Sequence, residues 1–319
     1  MKVRNDRSFP PGPIIDLERK GAGRFLELGA ALRSGPATLV LGAGASASAS
    51  LPDWRRLLIQ ICQVFYGHWR DEIQRGSATV ARPPNNLSIV FGHAGEWWTD
   101  DVLAMGEEFA RGDSILVAQQ IKNCIRDVDW YYLLRKALYT SPDDRPIDTS
   151  HSALLDRVAC LCSRVGEITS IINYNYDDVF EGYLNLHNVA YSVIWDCTQK
   201  PKRKTLPIYH THGYLRRKGG PNIRLILAES EYHEELAAPY SWGNLIQTAK
   251  LTSTTCLFVG TSLTDPNLRR LLRSTSMVRS RPHYAFLPPR ATGQLLWKCS
   301  TLYSIAIWKI SGLPRSAIP

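Results

Sequence analysis

A glycine turn that follows an apolar, strand-like run is the first feature of this sequence that can support chemistry. The run and the turn read T-L-V-L-G-A-G-A-S over residues 38–46, and a helical pattern begins at Trp54. Gly42 permits a tight turn, Gly44 lets the backbone approach a pyrophosphate, and the amides of the turn can point at phosphate oxygens. This pattern predicts a dinucleotide-binding turn. An ordinary strand-to-helix turn is the alternative, because Ala47 replaces the usual third glycine and the acidic residue expected roughly 20 positions further on is missing.

Three further polar clusters lie at the carboxyl ends of apolar runs. They read N-Y-N-Y-D-D over residues 173–178, Y-H-T-H-G over residues 209–213 and G-T-S-L-T-D-P-N over residues 260–267. In doubly wound sheets, this is the edge at which ligands bind. An imidazole can accept a proton near neutral pH, and amide, carboxylate and hydroxyl groups can orient a polar ligand. The four clusters together therefore predict one ligand site along a shared sheet edge.

The order and spacing of these four clusters resemble the sirtuin (silent information regulator) family. The shared pattern is G-A-G-x-S, then N-Y-D, then H-G, then G-x-S-L-x-D-P, and the resemblance spans roughly residues 36 to 310. It implies an NAD-binding catalytic domain, with NAD as the substrate. The order and spacing of all four motifs are far more specific than any one of them.

The cysteines and two short segments distinguish this chain from the sirtuin deacylases. Those enzymes carry a zinc ribbon built from two Cys-x-x-Cys pairs, whereas none of the seven cysteines here has that spacing, so no metal is predicted. The segment L-P-D-W at 51–54 and the segment at 227–232 look instead like those of bacterial sirtuin-like defence proteins. The resemblance to that branch implies an enzyme that consumes NAD outright during phage infection.

The family resemblance assigns catalytic roles to three residues. The Asn175 amide would orient the ribose and the attacking water, and Asp177 would orient the ribose or the nicotinamide carboxamide. His212, which directly precedes Gly213, would accept a proton from a ribose hydroxyl. His210 remains an alternative to His212, because residues two apart on a strand share a face.

Ten residues are expected to bind the dinucleotide. Ser46 would hydrogen-bond phosphate or ribose, and Ser262 is placed for the adenosine ribose. Trp54 is counted among them as part of the L-P-D-W segment, although its helical spacing favours a place in the core. The set is Gly42, Ala43, Gly44, Ser46, Trp54, Gly213, Gly260, Thr261, Ser262 and Asp265.

Composition and charge bear on compartment and partners. The chain has 319 residues, 44% of them hydrophobic, which is enough for a large core. It shows no apolar run long enough to span a bilayer and no secretory signal, and its cysteines suit reduced thiols, so a cytoplasmic protein without membrane contact is expected.

The net charge of +9 includes basic clusters at 200–204, 216–218 and 269–273. We interpret them as a solvated surface that attracts an anionic dinucleotide, and direct nucleic-acid binding is not expected because no recognition pattern accompanies them.

The hydrophobic patterns predict an α/β fold: a Rossmann-like, doubly wound, mostly parallel sheet with an inserted helical module. An N-terminal extension is placed at residues 1–35. The NAD-binding catalytic domain is placed at 36–319, with the helical insertion at about 67–148.

Strand and cap positions can also be predicted from the pattern. After the insertion, strands are expected at 168–174, 206–210, 223–228, 254–261, 283–287 and 302–310. Thr149 or Ser150 is expected to cap the helix that follows, and Asp178 and Asp265 are expected to cap the next helix after each of them.

The resulting hypothesis is an NAD+ hydrolase that cleaves the nicotinamide–ribose bond and depletes NAD in anti-phage defence by abortive infection. Unregulated turnover would kill the host cell, and the catalytic domain leaves too few residues for a sensor domain, so gating by homo-oligomer assembly or by a partner is expected. The resemblance points to a HerA-like ATPase or an Argonaute-type nucleic-acid sensor as partner, with the aromatic-rich segment 97–132 and the N-terminal segment as contact surfaces. Two alternatives are an NAD-dependent protein deacylase or ADP-ribosyltransferase, and a non-catalytic nucleotide-sensing module.

Overall fold

Seven strands of the described part of the chain form one central sheet. A computed structural model describes residues 19–61, 63–64, 114–124, 130–141, 145–164, 166–221, 223–276, 278, 281–287 and 306–310. The strands are β1 (Ala37–Leu41), β2 (Ile168–Asn173), β3 (Tyr191–Ile194), β4 (Leu206–His210), β5 (Thr255–Val259), β6 (His283–Leu287) and β7 (Ala306–Ile310). Their spatial order is β3-β4-β2-β1-β5-β6-β7, with β1 to β6 parallel and β7 antiparallel to β6. The predicted Rossmann-like, mostly parallel α/β fold is confirmed.

Helices connect and flank these strands. They are α1 (Arg19–Arg33), α2 (Ala43–Ala47), α3 (54–61), α4 (Ser114–Cys124), α5 (Trp130–Tyr139), α6 (Ala153–Arg164), α7 (Val179–Leu186), α8 (Glu229–Ala237), α9 (Trp242–Ser253) and α10 (Pro266–Thr275). Helices α4 and α5 fall within the predicted insertion. Its segment 65–113, including Trp97 and Trp98, lies outside the described residues.

The central strands are buried on both faces. Every residue of β1 is buried, and successive side chains alternate between two hydrophobic clusters: Leu39 and Leu41 join the larger one and Val40 joins the other. Thr38 is the polar exception, and its hydroxyl is hydrogen-bonded to those of Ser170 (2.9 Å) and Thr254 (2.8 Å). Helices covering both faces explain why β1 reads as an apolar run with one polar residue rather than as an alternating pattern.

Helix α1, which lies in the segment that we expected to be an N-terminal extension, contributes to this core. Leu28 and Leu32 of α1 are buried in the larger cluster, and Phe25 lies with its ring centroid 6.3 Å from that of Phe286 in β6. The residues of α1 therefore pack as part of the domain.

Two strand predictions were wrong. Residues 223–228 form no strand; they are a loop, buried at 225–228, in which the Ile226 amide donates to the carbonyl of His212 at 2.8 Å. The loop is apolar because it packs against the core. Conversely, β3 was not predicted, because this edge strand is mostly half-buried and its residues Tyr191 to Ile194 lack a clear apolar face.

The predicted cap of α6 was also wrong. Neither Thr149 nor Ser150 caps the helix; the hydroxyl of Ser152 accepts the Leu155 amide at 3.1 Å. Ser150 instead hydrogen-bonds Asp148 through its amide and its hydroxyl. Three neighbouring hydroxyl residues compete for this role, and the local pattern does not distinguish them.

Of the two predicted aspartate caps, one is confirmed. Asp265 accepts the Leu268 amide at 2.6 Å and starts α10. The Asp178 side chain caps nothing: one of its oxygens accepts the Arg217 amide at 3.1 Å, while the Val179 amide at the start of α7 bonds to Asp177.

Candidate active site at the carboxyl edge of the sheet

Four predicted polar clusters begin where the four central strands end. In the parallel pairing, Leu41 is aligned with Asn173 on one side and with Val259 on the other, and Asn173 is aligned with His210. The residues that follow these positions therefore emerge at one level of one edge. The chain runs outward from β1 to β2 and later returns to β5 on the other side of β1, which makes this edge the topological switch point where α/β sheets bind ligands.

The first and fourth clusters pack directly on each other. The Gly42 amide donates to the Val259 carbonyl at 3.0 Å, and the Gly44 amide donates to the Gly260 carbonyl at 2.7 Å. Gly260 has a φ of +68°, and a Cβ on it would lie 2.1 Å from the Ala45 nitrogen. We expected Gly44 to let the backbone approach a pyrophosphate. In this structure the backbone at Gly44 instead approaches the Gly260 loop, and the Gly44 amide is already hydrogen-bonded to the protein.

We expect Gly42→Ala to lower the free energy of unfolding by about 1–3 kcal/mol, the usual cost of overpacking. A Cβ on Gly42 would lie 2.7 Å from the Cα of Thr261, so the backbone of one loop has to shift. Gly182→Ala, on the exposed side of α7, is the matched control because its Cβ would meet nothing within 4 Å. Urea unfolding of both variants checks this; equal stability of Gly42→Ala and the unmodified protein would contradict it.

The Asn175 amide is fixed against the first loop. Its Nδ2 donates to the Gly42 carbonyl at 3.0 Å and to the Ser46 hydroxyl at 2.8 Å. Its backbone amide donates to Oδ1 of Asn173 at 3.0 Å. Asn175 and Ser46 are both buried. The structure therefore brings together one predicted catalytic residue and two predicted NAD-binding residues, Gly42 and Ser46.

Asp177 is a buried carboxyl group directly beside this pair. Burial is the main cause that raises its pKa, to about 6; hydrogen bonds from Ser46 and from the Val179 amide act in the opposite direction. Glu181 raises the pKa further, and His210 lowers it. A buried carboxyl group with a raised pKa among other polar side chains is typical of functional sites.

The raised pKa of Asp177 predicts a pH-dependent stability. Well below pH 3.8 the group is neutral in both folded and unfolded protein. Between pH 3.8 and about 6 it is ionised mainly in the unfolded protein, so the free energy of unfolding falls as the pH rises, and above about 6 the full cost of burying the charge remains. We expect Asp177→Asn, which mimics the neutral acid, to gain up to about 3 kcal/mol of stability relative to the unmodified protein between pH 4 and 7.5. Urea unfolding at several pH values measures this difference, and a difference that stays constant with pH would contradict the assignment.

His210 has both ring nitrogens occupied. The ring is fully buried, with Nδ1 3.1 Å from the Asn175 carbonyl and Nε2 2.9 Å from a carboxylate oxygen of Glu181. A carbonyl oxygen can only accept, so Nδ1 carries a proton and donates it. This histidine therefore supports the backbone of Asn175 and has no nitrogen left for a substrate.

His212 is different, because its Nε2 is buried and has no hydrogen-bond partner among the described residues. Its ring meets Tyr174 edge-on at a centroid distance of 4.5 Å and Tyr232 at 5.8 Å. Burial lowers its pKa, an effect that Asp265 and Glu235 partly offset. A neutral imidazole with an open nitrogen is able to accept a proton.

The remaining predicted NAD-binding residues are spread along the edge. Ser262 is exposed, and its hydroxyl lies 2.6 Å from that of Thr264. Trp54 is half-buried and packs against the core, as its helical spacing indicated. Ala43 opens α2, and Gly213 follows His212 with a φ of +98°, where a Cβ would lie 2.4 Å from the Arg224 carbonyl.

Glu181, Tyr174 and Tyr232 were not predicted as part of this site. Glu181 lies on α7 and is buried, which is unusual for a glutamate unless it is paired. The N-Y-N-Y-D-D segment contains Tyr174, but nothing in the pattern shows that this ring meets an imidazole. A charged residue in an otherwise apolar helix face was the one available signal for Glu181.

Two searches of the described residues bear on metal and membrane. No group of three or more His, Cys, Asp and Glu side chains in the described ranges could hold a metal ion. Within the same ranges, no helix has the length and apolar character needed to cross a membrane.

Fold and site together define a Rossmann-like α/β protein with a cluster of polar side chains at the carboxyl edge of its sheet. Comparison with known protein families matches residues 169–304 to the SIR2-like domain. The match includes Asn175, Asp177, His212 and the 260–265 segment, whereas the first glycine loop lies outside it. It supports the sirtuin-like resemblance and, with it, NAD binding by an NAD-utilising enzyme. A search of the curated proteins found no match to this chain.

Proposed function

We propose that the protein is an NAD+ hydrolase that cleaves the bond between nicotinamide and ribose. One observation carries the proposal: His212 is a buried imidazole whose Nε2 has no hydrogen-bond partner among the described residues. It follows β4, and Asn175 follows the neighbouring strand β2, so both residues lie at the ligand-binding edge of the sheet. The SIR2-like match over the same residues supports NAD as the ligand.

Each side chain has a definite part in this chemistry. When nicotinamide leaves, positive charge develops on the ribose and a water molecule attacks the exposed carbon. Asn175, held by Gly42 and Ser46, is rigid enough to orient the ribose and that water. The water or a ribose hydroxyl loses its proton to His212. Asp177 is hydrogen-bonded to Ser46 and helps to position the ribose.

Water, rather than a protein, is the proposed acceptor of the ribosyl group. The deacylase alternative requires a zinc ribbon, and neither the cysteine spacing nor the described residues provide a ligand set for one. The proposed role in anti-phage defence has narrower support, namely the likeness of the segments at 51–54 and 227–232 to bacterial sirtuin-like defence proteins.

A defence NAD hydrolase has to be gated, and we propose that self-assembly, a HerA-like ATPase or an Argonaute-type partner does so. The contact surface suggested for this role is only partly described. Trp130 and Tyr131 of α5 pack against the core, while Tyr132 is 46% exposed. Sizing the protein alone while measuring its NAD turnover tests the gate; a fully active monomer would refute it.

The activity itself is tested by incubating the purified protein with NAD, with and without an acetylated peptide. We expect nicotinamide and free ADP-ribose in equal amounts, independent of peptide. His233→Ala, on the exposed surface of α8, is the matched histidine control. Turnover that depends on the peptide, together with one equivalent of zinc by elemental analysis, would favour the deacylase. NAD binding without NAD cleavage, even in cells under phage infection, would favour the nucleotide-sensing module.

A further inference from the structure

Two buried acceptors face each other at the start of α10. Nε2 of His212 and Oδ2 of Asp265 lie 3.7 Å apart, too far for a hydrogen bond, and neither has another partner among the described residues. A buried polar atom without a partner costs free energy, and here there are two. A single proton placed on Nε2 would give both of them a partner.

Both side chains are held in this arrangement by other contacts. The second oxygen of Asp265 accepts the Leu268 amide at 2.6 Å, which fixes the carboxylate at the helix start. The next turn of α10 is anchored to α9, because Asn267 donates to Asn244 at 2.8 Å. The rings of Tyr174 and Tyr232 confine the imidazole of His212. The gap is therefore built into the packing of several elements.

We propose that Asp265 is the positioning partner of His212 and stabilises the imidazolium that forms during turnover. When a substrate or water O–H bond breaks, the proton forms a bond to the imidazole and the electron pair stays on oxygen. In the resulting imidazolium both ring nitrogens carry a proton, and the one on Nε2 faces Oδ2 of Asp265. The catalytic consequence rests on the proposed function, whereas the pairing of the two side chains does not.

The other ionisable groups around His212 do not provide this contact. Glu235 on α8 is occupied by Arg224 at 3.2 Å and by the Ser241 hydroxyl at 2.8 Å. Tyr174 and Tyr232 face His212 from the loop after β2 and from α8. Burial raises the pKa of both phenols and Asp265 raises it further, in part through a hydrogen bond between its side chain and that of Tyr232. Burial lowers the pKa of His212, and Asp265 is the largest influence that raises it again.

Histidine NMR on the full-length, ligand-free protein tests the pairing without reference to activity. The chain has eight histidines, and His212→Ala assigns the signal. Asp265→Asn keeps an oxygen for the Leu268 amide but loses the charge, so we expect the pKa of His212 to fall by about one unit. An unchanged pKa of His212 in the variant would overturn the proposal.

The second arm measures NAD cleavage against pH. We expect Asp265→Asn to lower kcat by at least about tenfold and to shift the acid limb of the profile to lower pH. Glu235→Gln is the control for a general loss of negative charge and should change both far less. If the unmodified protein does not cleave NAD, the proposed function fails while the NMR result still decides the pairing.

Discussion

We expect His212→Ala to lower the rate of NAD cleavage by about a hundredfold or more, the usual contribution of a general base. The reason is that Nε2 of His212 is the open imidazole nitrogen at the ligand-binding edge, whereas both nitrogens of His210 are occupied. The loss should appear in kcat, because the imidazole acts on a proton that moves in the transition state.

The measurement is nicotinamide release under saturating NAD, with heat denaturation to confirm that the variant is folded. Tyr174 and Tyr232 surround the ring through edge contacts and do not depend on it for a hydrogen bond, so the fold should persist. His233→Ala serves as the control. Near-normal turnover by folded His212→Ala would remove this residue from the mechanism.

His210→Ala should act mainly on stability rather than on kcat, with a loss of about 3–5 kcal/mol in the free energy of unfolding. The imidazole and Glu181 form a buried pair at 2.9 Å, and their side chains are 0% and 6% exposed. Removing the imidazole leaves the carboxylate buried without its partner and leaves the Asn175 carbonyl without its donor. Activity would fall as well, because Asn175 loses part of its support.

A second histidine–carboxylate pair provides the matched control. His187 and Asp156 also lie 2.9 Å apart, but their side chains are 23% and 45% exposed. Because water can replace the lost contact there, we expect His187→Ala to cost at most about 1 kcal/mol. Urea unfolding of both variants compares them directly. Equal losses in the free energy of unfolding would show that burial of the His210 pair adds no stability beyond that of an exposed pair.

The sequence predicted the sheet edge well for a physical reason. Parallel strands covered by helices on both faces must be apolar throughout, so each strand is recognisable by itself and its polar end marks the edge. Residues 37–41 and 255–259 illustrate this, since all five positions of β1 and of β5 are buried. Predictions failed where burial does not indicate a strand. The loop at 223–228 is largely buried but is not a strand, and β3 is a strand but is only half-buried.

The choice between two histidines shows where the information in the sequence ends. Alternation along a strand places His210 and His212 on one face and makes them equivalent, but β4 ends at His210 and a turn follows. The partners of His210 come from residues 35 and 29 positions away in the chain. No local pattern specifies which imidazole such distant groups will occupy.

The sequence by itself therefore determined the fold class, the shared edge of the four motifs and the residue types that meet there, because these follow from hydrophobic periodicity and strand direction. The tertiary structure decided how these groups are paired. It closed the Gly44 amide onto Gly260, buried the His210–Glu181 pair beneath Asn175 and left His212 facing Asp265 across 3.7 Å. Such pairings depend on distances of a few tenths of an ångström between segments far apart in the chain, and only the packed structure sets them.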